Sequence, residues 1–191
     1  MTVSSLQIIR DEHAALAAML RSMEMMLERG PNDEPERFFD VLRAMLFYID
    51  EFPERLHHPK ETELLFPRVA RLAPETQQAI DKLNADHALS ERAVRELQHL
   101  LLAWELVGDS RRQAFEEAAR QYIAQYLAHM RLEETAVLPA AERVLSRDDW
   151  HAVDAAFAAN QDPLATSQRD PVYDRLFTRI VMRAPAPIGV G

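Results

Sequence analysis

The chain has 191 residues, 48% of them hydrophobic and 28% charged, which is the profile of an ordinary water-soluble domain. It contains no cysteine, which excludes disulfides, thiolate nucleophiles, thiolate zinc sites and cysteine-ligated iron–sulfur clusters. The formal charge of −9, with no basic cluster denser than Arg111-Arg112, argues against nucleic acid as a partner.

From the N-terminus, Met1 to Ser5 shows no basic region followed by an apolar run. No apolar run approaches the roughly 20 residues of a membrane span, so a cytoplasmic protein with no membrane partner is expected. Leu6, Ile9, His13, Leu16, Leu20, Met23 and Leu27 alternate steps of three and four residues, which predicts an amphipathic helix. Ser4 or Ser5 caps it and Gly30-Pro31 stops it. A second helix starts near Pro35 and carries Phe38, Val41, Met45, Tyr48 and Phe52. Pro53 and Pro59 then predict a kink, or a division into two short helices. A third runs from after Pro74 to about Val107, with Ile80, Leu83, His87, Val94, Leu97, Leu101 and Trp104 on one stripe. Gly108-Asp109 turns the chain into a fourth, with Phe115, Ala118, Tyr122, His129, Glu133, Val137 and Val144 on its apolar side.

Four long helices joined by short turns predict an all-α, up-down-up-down four-helix bundle over 1–160. That span includes a short fifth helix opened by Asp148-Asp149 and holding Trp150, Val153 and Phe157. Residues 161–191 read as a C-terminal linker, helix and extended tail. The polar linker runs to Asp170, and Tyr173, Leu176, Phe177, Ile180 and Val181 form another helical stripe. Such a stripe covers the parent core more often than it meets a partner.

The histidines carry the chemistry. His13, His87 and His129 each fall on a stripe that periodicity assigns to the interior. One buried histidine is usually a satisfied core residue, but three on three helices of a small bundle each need a partner, and a shared metal supplies all of them. His57 precedes Glu61, and His129 precedes Glu133, both at i, i+4, which puts each pair on one helix face. Such pairs are common on surfaces, but Glu133 sits on an apolar stripe, where a lone carboxylate is disfavoured.

An internal repeat sharpens the pattern. His57-x-x-x-Glu61-x-x-x-Leu65-Phe66-Pro67 aligns with His129-x-x-x-Glu133-x-x-x-Val137-Leu138-Pro139, and His13 and His87 precede these units by 44 and 42 residues. Two matched hairpins, each with one His and then a His–Glu pair, predict a binuclear centre with two nitrogens per metal and two carboxylates free to bridge. The alignment selects His57 over His58, whose i+4 residue is Thr62; His58 reads as an exposed neighbour before it reads as a group behind the ligands. His99 and His151 read as surface, and Tyr48, Tyr122 and Tyr126 as core filling ahead of ligand contact. Glu54-x-x-His57 and Glu96-x-x-His99 match the pairs of ferritin-like di-iron bundles, but they fall on consecutive helices and His99 faces away. A donor set of four nitrogens and two carboxylates without sulfur suits iron first, manganese second and zinc as a contaminant, and does not suit calcium or magnesium.

Asp11-Glu12-His13, His57-His58-Pro59-Lys60-Glu61 with Leu65-Phe66-Pro67, Asp86-His87 and His129-Met130-Arg131-Leu132-Glu133-Glu134 occur in this order on the four helices. In them the sequence resembles the hemerythrin-like, or HHE cation-binding, family, over roughly positions 4 to 146. The resemblance implies a non-haem di-iron centre, with two Fe ions joined by an oxo or hydroxo bridge. His13 and His57 would hold one iron, His87 and His129 the other, and Glu61 and Glu133 would bridge them. Oxygen-carrying hemerythrin has His-x-x-x-His on its third helix, where this chain has His87 and Glu91, so Glu91, water or an open position takes that place. Its last carboxylate is an aspartate, one residue further along than Glu133. The function implied is binding of O2, NO or peroxide in sensing or stress response. The alternatives are an iron-dependent enzyme consuming peroxide or NO, an iron donor for cluster repair, and a metal-free module acting through the C-terminal helix. Whether the protein is an enzyme stays open at this point, as does its redox partner, and a homodimer is a candidate assembly.

Overall fold

The structure, a computed structural model, describes residues 4–160, 162–165 and 171–191. Met1 to Val3, and residues 166–170 of the expected linker, lie outside the described residues. Helix α1 (Ser5–Arg29) starts at Ser4, whose hydroxyl accepts from Gln7 N, and ends at Gly30 with φ 69°. A side chain at Gly30 would be strained by that φ and would meet the Arg112 guanidinium at 3.2 Å. Helix α2 covers 35–72 without a break. Helix α3 (Gln77–Val107) follows a 3-10 turn at Pro74–Thr76. After Gly108 and a 3-10 turn at Asp109–Arg111, helix α4 covers 112–144. Helix α5 (Arg147–Phe157) starts in a capping box formed by Ser146 and Asp149, so its cap lies before the Asp148-Asp149 pair expected to open it. Helix α6 (Asp174–Arg183) follows a 3-10 turn at Pro171–Tyr173.

The expected kink in the second helix is absorbed instead by π turns. Within α2, Asp50–His57 and Glu61–Leu65 are π-helical, and the α turn His58–Lys60 lies between them. In α4 the π segment is Glu133–Val137, which the internal repeat aligns with Glu61–Leu65. Each of these two aligned segments is followed at the same distance by a proline, Pro67 or Pro139. A proline ring crowds the carbonyl four residues back and cannot donate to it, and the wider i→i+5 turn relieves both problems.

Each long helix packs against its chain neighbours, and α4 closes on α1, which makes the up-down-up-down bundle. Among the described residues there is no strand, and no helix is long and apolar enough to cross a membrane. The core is divided. One apolar cluster holds Met19, Leu20, Met23, Leu42, Met45, Trp104 and Phe115, and the other holds Ile9, Leu65, Phe66, Leu83, Val137, Leu138 and Phe157. Buried acids and imidazoles fall between the two, Glu12 and His13 between Ile9 and Leu16 on α1, and His57, His58 and Glu61 between Phe52 and Leu65 on α2.

The C-terminal stripe covers the parent core. Ile180 and Ala184 join the first cluster, and Arg179 and Arg183 reach Asp40 at 3.2 and 2.8 Å. The expected extended tail folds back, because Ser22 Oγ donates to Pro185 O at 2.7 Å and accepts from Ile188 N at 3.0 Å. Asp162, expected in a polar linker, is buried and accepts from Tyr48 OH at 2.7 Å and Leu164 N at 2.8 Å.

Candidate metal centre

Between the two apolar clusters the four long helices bring seven polar side chains together. In one set, His13, His57, Glu61 and Glu133 each offer a ligand atom within 4.8 Å of the others; in the second, His58, Glu61, His87 and His129 do the same. Glu61 belongs to both. His57 Nε2 lies 2.6 Å from Glu61 Oε1, His87 Nε2 lies 3.4 Å from Glu61 Oε2, and His13 Nε2 lies 3.4 Å from Glu133 Oε2. His87 Nε2 and His129 Nε2 face each other at 3.2 Å.

The outward nitrogens are held in a regular way. On each helix a residue beside an inward-facing group reaches across to the histidine of the next helix. Glu12 on α1 takes His57 Nδ1 at 2.5 Å, Thr62 on α2 takes His87 Nδ1 at 2.8 Å, and Glu134 on α4 takes His13 Nδ1 at 3.0 Å. Asp86 on α3 approaches His129 Nδ1 at 3.6 Å, too far for a hydrogen bond. An ionised carboxylate only accepts, so His13 and His57 each donate from Nδ1 and turn Nε2 inward. Phe157, on α5, sets its ring edge against His57, and Asn160 Nδ2 donates to both oxygens of Glu12 at 2.9 and 3.0 Å.

The electrostatics show what the cluster lacks. All four carboxylate oxygens of Glu61 and Glu133 are buried without a hydrogen-bond partner, as is His57 Nε2. Burial and then the Glu61 charge push Glu133 well above the usual carboxylate range. Burial acts upward on Glu61 too, but the charge on the adjacent His57 holds it well below that range. Burial pulls His57 down, but Glu61 and Glu12 outweigh it and hold it well above an ordinary imidazole. His129 is lowered to about 4 by burial and then by repulsion from His87. Buried carboxylates and imidazoles with lone pairs converging on each other are costly unless cations sit among them. The donor set therefore fits metal ions. With two carboxylates, five imidazoles and no sulfur, it suits iron, manganese or zinc.

Each of the six residues singled out by the repeat lies in this cluster. His58 corrects the expectation of an exposed neighbour, because it is buried and its ring stacks on His87 with centroids 3.9 Å apart. The π turns on either side of His58–Lys60 add residues to the 3.6-residue period, so two consecutive histidines both face inward. His58 differs from the other four in that its Nε2 meets a tyrosine hydroxyl, Tyr126 OH at 2.8 Å, while its Nδ1 meets Glu54 at 3.1 Å. Glu91 is not in the cluster; its side chain is 53% exposed and pairs with Arg95. His58 comes to the face that a second histidine on the third helix would supply. His99 and His151 are exposed as expected. The tyrosines do more than fill the core, since each hydroxyl meets a buried acid or imidazole.

Glu12, Thr62, Asp86 and Glu134 were not legible as partners of the histidines. The available signal was adjacency, since each sits beside His13, Glu61, His87 or Glu133. Adjacency does not say that the contact is made to a different helix. Among curated protein sequences, nothing matches the chain. The sequence profile of the hemerythrin HHE cation-binding domain matches residues 4–141, the stretch that contains every residue of the cluster. On this match and the arrangement of the four helices, the chain belongs to the hemerythrin HHE cation-binding domain family.

Proposed function

We propose that the protein holds two iron ions and binds O2, NO or peroxide there, in sensing or stress response. In this reading His13 and His57 hold one ion, His87 and His129 the other, and Glu61 and Glu133 bridge them. When bound, the pair supplies reversible one-electron chemistry and a position for a small ligand. The chain's own part is to fix the imidazoles of His57, His87 and His13 through Glu12, Thr62 and Glu134, and to bracket the centre with the two apolar clusters. His58 lines the centre through Glu54 and Tyr126. No side chain acts as a nucleophile. Residues 4–160 form the metal-holding unit and 161–191 an appendage to it.

The observation that carries this reading is the four unpartnered carboxylate oxygens of Glu61 and Glu133, both 0% exposed, against inward-pointing imidazoles. A group buried in this way costs on the order of 1–3 kcal/mol or more for each missing partner, so the cluster makes sense only with cations in it. Elemental analysis of protein produced with iron is expected to give about two irons per chain, with the absorption bands of a bridged ferric pair. Glu133→Ala is expected to lose most of that iron, and full retention would show that Glu133 does not bridge.

A further inference from the structure

Two cavities flank the centre, and they differ in size. One, of about 10 Å³, lies beside His13 and His57 between Leu16, Phe52 and Leu56 on one side and Glu12, Asn160 and Asp162 on the other, which is room for about one water-sized centre. The other, of about 60 Å³, lies between α2, α3 and α4 and reaches His58, His87 and His129. Its rim includes Leu89 and Gln125, both exposed, so it opens to solvent.

The inner wall of the larger cavity has a particular hydrogen-bonding character. Ser90 Oγ and Tyr122 OH both donate to Glu54 Oε1, at 2.5 and 3.1 Å. With Glu54 ionised, its Oε2 accepts from His58 Nδ1, Nε2 is left as an acceptor, and Tyr126 OH donates to it. Three hydroxyls of the inner wall then spend their protons on the wall and turn lone pairs toward the space. The Asp86 carboxylate at the same cavity is an acceptor as well, and the Gln125 amide at the mouth can donate. An inner wall of acceptors favours a molecule that brings its own protons over O2 or NO, which have none.

We propose that this cavity is a binding pocket for a small protic oxidant of the hydrogen peroxide class, which reaches the centre on its His87/His129 side. The proposal rests on the metal-centre reading above and narrows it, because it assigns a peroxide-type ligand to a route distinct from the smaller chamber at His13 and His57. Hydrogen peroxide, with two O–H donors and two heavy atoms, fits both the volume and the acceptors. Ala93 lines the cavity, and Leu89 stands at its mouth with 66% of its surface exposed, so substitution of Leu89 leaves the core untouched.

Two measurements test this. In zinc-loaded protein, which undergoes no redox change, added hydrogen peroxide is expected to shift the backbone amides of Ser90, Ala93 and Gln125 and to leave those of Leu16 and Phe52 in place. In stopped-flow mixing of reduced, iron-loaded protein, Ala93→Leu and Leu89→Trp are each expected to slow the reaction with peroxide at least about tenfold and to keep that with O2 within about twofold. Tyr122→Phe, which removes one acceptor from the larger cavity alone, is expected to weaken peroxide binding by roughly three- to tenfold. Amide shifts confined to Leu16 and Phe52 would overturn the pocket, and so would peroxide and O2 rates that fall together or do not change. Iron analysis of each variant separates the two readings. A parent protein that takes up no metal overturns both, whereas a fully loaded parent indifferent to Ala93→Leu and Leu89→Trp overturns the pocket alone.

Discussion

The two halves of the centre descend from one repeated pattern, yet they are supported differently. Behind His13 and His57 stand two carboxylates in hydrogen-bond contact, Glu134 at 3.0 Å and Glu12 at 2.5 Å, and Asn160 in turn holds Glu12. Behind His87 and His129 stand a neutral hydroxyl, Thr62, and an aspartate that stops 3.6 Å short and is shared with Lys82. A carboxylate behind an imidazole fixes its orientation and raises its basicity as a ligand. Phe157 of α5 and Asn160 after it also stand against the first half, while the larger cavity lies beside the second. The repeat therefore sets the donors, and the residues outside the repeat support one half more tightly than the other.

The largest effect is expected where the halves meet. Glu61 is the side chain common to both sets, so Glu61→Ala is expected to lower metal affinity at both positions by more than about a hundredfold and to strip the protein more completely than Glu133→Ala. Metal content after gel filtration checks this, and retention of one full equivalent would show that the halves are independent.

The first half also carries a buried acid. Burial raises Asp162 to about 6, with hydrogen bonds from Leu164 N and Tyr48 OH opposing the rise and the Glu12 charge adding to it. Because the folded value lies above the unfolded value, its contribution to stability is complete below about pH 4 and is lost as pH rises through about 6. Asp162→Asn keeps the shape without the charge. It is expected to gain up to about 3 kcal/mol relative to the parent between pH 4 and 7.5, read from denaturant midpoints across pH. A difference that does not change with pH would place Asp162 in contact with water.

A smaller effect separates the supports themselves. Glu12→Gln is expected to weaken metal binding roughly 10- to 100-fold, and Thr62→Val by less than about tenfold, in competition with a chelator. Equal losses would mean that the carboxylate gives the first half no advantage.

Much of this was readable from the sequence. The alternating steps from Leu6 to Leu27 and the stripe from Ile80 to Trp104 correspond to buried faces, because burial selects residues at the helical period. Pro53 and Pro59 were legible as a disturbance, but not as π turns, since a proline can be answered by a kink, a break or a widened turn, and packing chooses among them. His58 was misread for the same reason. Assigned by the repeat and a regular 3.6-residue period, His57 alone faces inward, and only the extra residues of the π turns bring its neighbour in as well. The tail was misread because Ala184 and Pro185 carry no periodic pattern, yet Ser22 holds them through both its donor and its acceptor.

The sequence by itself determined the helices, their apolar faces, the repeat and six of the inward side chains, because each of these is a matter of spacing along one chain. Only the tertiary structure decided which acid steadies which imidazole, that His58 completes the cluster, and that the larger cavity lies on the His87/His129 side. Those outcomes depend on the angle and offset at which separate helices meet, and no local period encodes either.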